Sequence, residues 1–221
     1  ETAPDVRMSR ILAGLSATIG DMGQIENALP INRLLRGELE PAENEQLALT
    51  ANLFAERYAQ RITFIDDIGS PDVISGRIRA RKPTVAVIDH VGLLELPGGS
   101  GIDQYDAALA RIACSLRDAG TSGILIGELS KRALLERANA IGAVRGSARF
   151  ESLAVASVTL QRAAEPSHDR TTKIDANLVK NRFGRSGLKQ TINLYGYNAY
   201  LAFVPGLEQV EEPEPRRGAR T

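Results

Sequence analysis

Thr84-Val85-Ala86-Val87-Ile88-Asp89 is the stretch whose reading decides the fold. A short, almost entirely apolar run that ends in a charge is the pattern of a strand buried on both faces of a parallel sheet, with its carboxyl end reaching the surface. Before it, Val73, Ile74 and Ile78 recur at helical spacing behind Ser70-Pro71, a pair suited to an N-cap and first helical turn, and Pro83 closes that helix. After it, the glycine-rich residues 96–101 lead into a helix with Tyr105, Leu109, Ile112 and Leu116 on one face, and residues 123–127 make a second buried strand. Strand, loop, helix and strand in that order predict an α/β fold.

Working outward, Met8, Ile11, Leu12, Leu15 and Ile19 mark a first amphipathic helix with Pro4 at its start. A second helix follows Pro41, with Leu47, Ala51, Phe54 and Tyr58 as its apolar stripe, acidic residues in its first turn and Arg57 and Arg61 at its end. Ile62, Phe64 and Ile65 form a β-rich run. Beyond Glu128 a long polar loop precedes a return to strand character at residues 154–160. Ile174, Ala176 and Leu178 then alternate, turn residues follow at 184–187, and residues 191–194 and 200–203 complete an expected antiparallel meander. Residues 205–221 are rich in Glu, Pro and Arg and are expected to be a disordered tail. No internal repeat is visible.

Composition narrows the function classes. With 221 residues, 43% of them hydrophobic and 24% charged, the chain is globular in composition. Twenty-seven basic residues balance 27 acidic ones, so a nucleic-acid surface would have to arise from local clustering. Cys114 is the single cysteine and His90 and His168 stand far apart, which argues against disulfide and zinc frameworks and fits a reducing, cytoplasmic compartment. No apolar run reaches the roughly 20 residues that span a bilayer. Glu1 is not preceded by Met or followed by a secretory signal, and the chain reads as a piece or a processed product.

Two segments could carry chemistry. Asp89 at the end of its strand suits a magnesium ion held through water at the carboxyl edge of a sheet; an aspartate there also serves turns and caps, and the strand alone leaves both readings open. The usual companion, a G-x-x-x-x-G-K-[ST] phosphate loop, does not occur in residues 1–221, and Pro97-Gly-Gly-Ser-Gly101 lacks its lysine. In Val179-Lys-Asn-Arg-Phe-Gly184, strand alternation puts Lys180 and Arg182 on one face just before a turn. They could be a basic edge that discourages aggregation, or a finger that stabilises phosphate charge in a neighbouring subunit.

Taken in order, Met8-Ser-Arg-Ile-Leu-Ala-Gly-Leu15, the run at 62–67 with its Ser70-Pro71 helix, residues 85–89, Ile124-Leu-Ile-Gly-Glu128, Arg145-Gly-Ser-Ala-Arg-Phe-Glu151 and Lys180-Asn-Arg182 resemble successive parts of the RecA-like motor domain of DnaB-type replicative helicases. The resemblance covers nearly residues 1–204 and implies a mostly parallel sheet flanked by helices, with a C-terminal antiparallel hairpin. It implies ATP and Mg2+ as cofactors, single-stranded DNA as the track, a homo-hexameric ring, and primase and a helicase loader as further partners. Asp89 would hold the magnesium, Glu1 would orient the attacking water, and Lys180 and Arg182 would act on the adjacent subunit's nucleotide. Arg145, Gly146, Ala148 and Arg149 belong to the loop that grips DNA; Gly146 and Ala148 replace an acid and a glycine of the usual pattern. Glu128 stands where the family has a phosphate-sensing Gln, and a carboxylate repels phosphate unless it is protonated or bridged by metal. The family's phosphate loop precedes the position of Glu1, so this chain is expected to begin after it. A RadA-type recombination ATPase and a non-hydrolysing DNA-binding or ring-scaffold subunit are the alternatives.

Overall fold

In the computed structural model, residues 4–17, 28–65, 69–96, 101–128, 152–163, 172–195 and 200–203 are described. The elements among them include α1 (Pro4–Ser16), α2 (Ile31–Arg36), α3 (Pro41–Arg57), α4 (Pro71–Arg81), β1 (Val85–Ile88), a short 3-10 turn at Val91–Leu93, α5 (Ile102–Ala119), β2 (Ser122–Leu125), β3 (Ala156–Arg162), β4 (Thr172–Asn181), β5 (Leu188–Tyr195) and β6 (Tyr200–Phe203). The chain divides into two compact units, Glu1–Phe54 with Leu160–Asn177 and Gly187–Thr221, and Ala55–Thr159 with Leu178–Ser186.

The second unit is built on a β1–α5–β2 crossover. The two strands pair in parallel, Val85 opposite Ser122 through Ile88 opposite Leu125. Ser70 caps α4 by accepting from the Val73 N–H at 3.4 Å, with Pro71 in the first turn. Lys82 ends that helix in the left-handed conformation usually left to glycine, and its N–H donates to Ile78 O. Helix α5 buries the expected stripe: Leu109, Ile112 and Leu116 are 1%, 0% and 7% exposed. Ile78, Ile112 and Leu116 form the core, with Ile74, Ala86, Ile88, Leu94, Ala119 and Leu125 packed against it. Gly123 lies so close to Leu116 that a side chain there would collide with it. Arg111 on α5 also forms a short ion pair with Asp72 on α4.

One expectation fails here. The parallel strands bury a single face: Ala86, Ile88 and Leu125 point to the core, whereas Val85, Val87, Ile124 and Ile126 are exposed. An apolar run shows that both faces dislike water, but not that both have a cover. Likewise residues 62–65 form no strand, and Ile62, Phe64 and Ile65 are exposed.

The other unit contains α1, α2 and most of α3. Met8, Ile11, Leu12 and Leu15 of the apolar stripe read on α1 are half-buried, and Ile19 lies outside the described residues; the fully buried residues are the small ones, Ala13 and Ser16 with Ala17 just after the helix, because small side chains permit close approach. Ser16 Oγ donates to Ala13 O and accepts from the N–H of the buried Leu29, while Gln46 of α3 donates to Ser16 O. Arg33 spans the α2–α3 connection, donating to Glu38 O, to Glu43 at 3.0 Å and to Glu40 at 2.9 Å. Strands β3–β4–β5–β6 are neighbours in that order. The bonds Ala163 N to Lys173 O and Arg182 N to Val155 O, at opposite ends of β3 and β4, make that pair antiparallel, as are β5 and β6. The expected meander is therefore present. The architecture is α/β, but among the described residues the parallel sheet has two strands and the larger sheet is antiparallel, so the parallel part is smaller than the resemblance implies.

Candidate functional site

The crossover sends the carboxyl ends of both parallel strands to the same edge. There the Ile126 N–H donates to Ile88 O at 3.0 Å and the Val91 N–H to Ile126 O at 2.9 Å, so the backbone around Asp89 and His90 is tied to the segment leading to Glu128. Asp89 follows β1 directly and is exposed; Glu128 follows β2 by three residues, with its side chain 60% exposed. Two acidic side chains thus mark neighbouring strand ends.

His90 joins them, and reading the sequence missed it. Its Nδ1 accepts the Gly92 N–H at 3.2 Å, and its Nε2 lies 3.9 Å from Glu128 Oε1. With Nδ1 used as an acceptor, the neutral ring carries its proton on Nε2, facing the carboxylate. The pairing joins residues 38 positions apart, 128 less 90, and the sequence held no local sign of it beyond the fact that both follow a strand.

No group of three His, Cys, Asp or Glu side chains gathers as a metal site among the described residues. Asp89 offers a hard, solvent-facing oxygen ligand, which suits magnesium, an ion that keeps several waters and takes only one or two protein carboxylates beside phosphate oxygens. Its chemistry there would be to offset phosphate charge. A cradle of main-chain amides for a triphosphate is not contained in residues 1–221 as a recognisable motif.

Lys180 and Arg182 do come together. Lys180 Nζ donates to Ser152 O at 3.2 Å and Arg182 Nη2 to the same oxygen at 2.6 Å. The turn that follows is organised by Asn181, whose side chain accepts from the Phe183 N–H and donates to Arg185 O, and by Gly187 at φ 80°. Asn at the start of a turn was a legible signal for this role. Phe183 at the turn is 88% exposed. Glu1, Arg145, Gly146, Ala148 and Arg149 lie outside the described residues.

No family model and no curated protein matches the chain. Among solved structures it is similar to a DnaB-like replicative helicase, described together with its interactions with primase. The TM-score is 0.73 at 16% identity, over 91% of this chain and 48% of that one. The likeness is one of fold, and the chain spans about half the length of the helicase chain it matches. Among the described residues no helix is long and apolar enough to cross a membrane.

Proposed function

We propose that this chain is part of an ATP-dependent replicative DNA helicase that translocates on single-stranded DNA as a hexameric ring. The observation that carries the reading is Asp89 and Glu128 at the ends of adjoining parallel strands, within a fold similar to that of a DnaB-like helicase. Asp89 holds magnesium, Glu1 orients water, and Glu128 takes the position that senses the terminal phosphate. Lys180 and Arg182 serve the adjacent subunit's nucleotide, and Arg145 and Arg149, with the main chain at Gly146 and Ala148, contact DNA phosphates. Primase is a partner on this reading, by analogy with the helicase described with it, and a loader is a second.

The test uses a version of the protein extended upstream of Glu1, where that extension supplies a phosphate loop. Its ATP turnover is expected to rise with single-stranded DNA. Asp89→Ala should lower that turnover by about 100-fold or more, since a metal ion supplies several kcal/mol of charge stabilisation. Turnover indifferent to DNA would remove the helicase reading, and unchanged turnover in Asp89→Ala would remove Asp89 from the metal site.

A further inference from the structure

We infer that His90 is a positioning residue for Glu128, holding its carboxylate at the carboxyl edge of the parallel sheet through Nε2–H. This deepens the nucleotide-site reading above and rests on it for its functional consequence, though not for the pairing itself.

Three observations converge. The imidazole is pinned, because the Gly92 N–H donates to Nδ1 and directs the other nitrogen's proton outward. The pin requires glycine: a Cβ on residue 92 would lie 2.9 Å from Nδ1 and 3.0 Å from Cε1, so any larger residue pushes the ring away. Finally, the free side of the ring faces Glu128, with Nε2 3.9 Å from Oε1. For a neutral ring that is just beyond hydrogen-bond range, and a small rotation of the exposed glutamate brings the Nε2–H and the carboxylate oxygen within it.

The arrangement has a chemical purpose. Asp89 follows β1 and Glu128 follows its parallel partner β2, so both carboxylates belong to one edge of the sheet, where a phosphate would meet like charge. An amide in place of Glu128 could donate to a phosphate directly, which a carboxylate cannot. The His90 Nε2–H is a donor directed at the Glu128 carboxylate, and it fixes the direction in which that charge points.

Two measurements test the pairing and its consequence separately. In 15N-resolved NMR of the 221-residue chain, His90 is expected as the Nε2–H tautomer, and Glu128→Gln should move its Nε2 resonance. Gly92→Ala should move both ring nitrogens. An Nδ1–H tautomer, or a His90 signal indifferent to Glu128→Gln, would overturn the pairing. In the upstream-extended protein, His90→Ala should lower kcat for ATP about 10-fold with little change in KM, and Gly92→Ala should act in the same direction. His90→Gln, which keeps a donor, should restore part of the loss. On a Glu128→Gln background His90→Ala should have no further effect. An equal loss on both backgrounds would show that His90 acts independently of Glu128 and would overturn the positioning role. Should the extended wild type turn over no ATP while the NMR pairing is present, the nucleotide-site reading fails and the pairing stands.

Discussion

Ile112→Ala tests where the core of the crossover unit sits. Ile112 is 0% exposed and packs with Ile78 and Leu116 under the inner face of β1 and β2. Shortening it removes three carbons, each worth about 0.8 kcal/mol when fully buried. A residual cavity on the order of 50 Å3 adds about 1.2 kcal/mol at roughly 24 cal/mol per Å3. The expected loss is therefore about 3.5 kcal/mol, inside the range of about 2–5 kcal/mol seen for such truncations. Val87→Thr is the counterpart: it keeps shape and β-branching, adds a hydroxyl, and falls on the face where Val87 is 60% exposed. It should cost less than about 0.5 kcal/mol, whereas a buried, unpartnered hydroxyl would cost about 1–3 kcal/mol. Urea unfolding followed by far-ultraviolet circular dichroism reads both as shifts in midpoint at constant slope. A Val87→Thr loss of about 2 kcal/mol would refute one-sided burial, and an Ile112→Ala loss below about 1 kcal/mol would refute the core assignment.

Three further outcomes follow from named contacts. Burial, with Asp106 nearby, raises the Tyr105 phenol above its ordinary value near 10, so its contribution to stability is present below about pH 10 and is lost as pH rises through the higher folded value. Thermal melts should therefore show a steeper alkaline decline for the wild type than for Tyr105→Phe, and parallel curves would refute it. Ser70→Ala should destabilise by about 0.5–1 kcal/mol by removing the cap of α4, read as a drop in melting temperature. In the upstream-extended protein, Arg182→Ala should depress ATP hydrolysis while sparing nucleotide binding, and rings mixed with Asp89→Ala subunits should recover some activity. No recovery in demonstrably mixed rings would leave Lys180 and Arg182 as a basic edge.

The sequence was legible wherever the deciding signal was local. The α5 stripe and the Ser70-Pro71 helix start follow from spacing within one element, and the final meander from alternation and turn residues in neighbouring segments. What it could not show depends on partners distant in the chain. The exposed face of Val87 and Ile124 and the absence of a strand at 62–65 turn on which surfaces find a cover. On α1, hydropathy singles out the large residues, while close packing selects Ala13 and Ser16. At the site, the strand end put Asp89 forward and the resemblance put Glu128 forward, but His90 gains its interest only when Glu128 is brought beside it. Alternation likewise placed Lys180 and Arg182 together without indicating Ser152 O as their shared acceptor.

Arg33 bears on the order in which the molecule can assemble. Its guanidinium satisfies Glu38 O, Glu40 and Glu43, all within ten residues, and Glu43 in turn accepts the Glu40 N–H. Closing so short a loop costs little chain entropy, whereas β1 finds β2 only after the whole of α5 has been looped out between Val85 and Ser122. The α2–α3 elbow is thus within reach of a growing or refolding chain long before the parallel strands can meet. The edge that carries Asp89, His90 and Glu128 rests on a pairing whose loop closure spans the whole of α5.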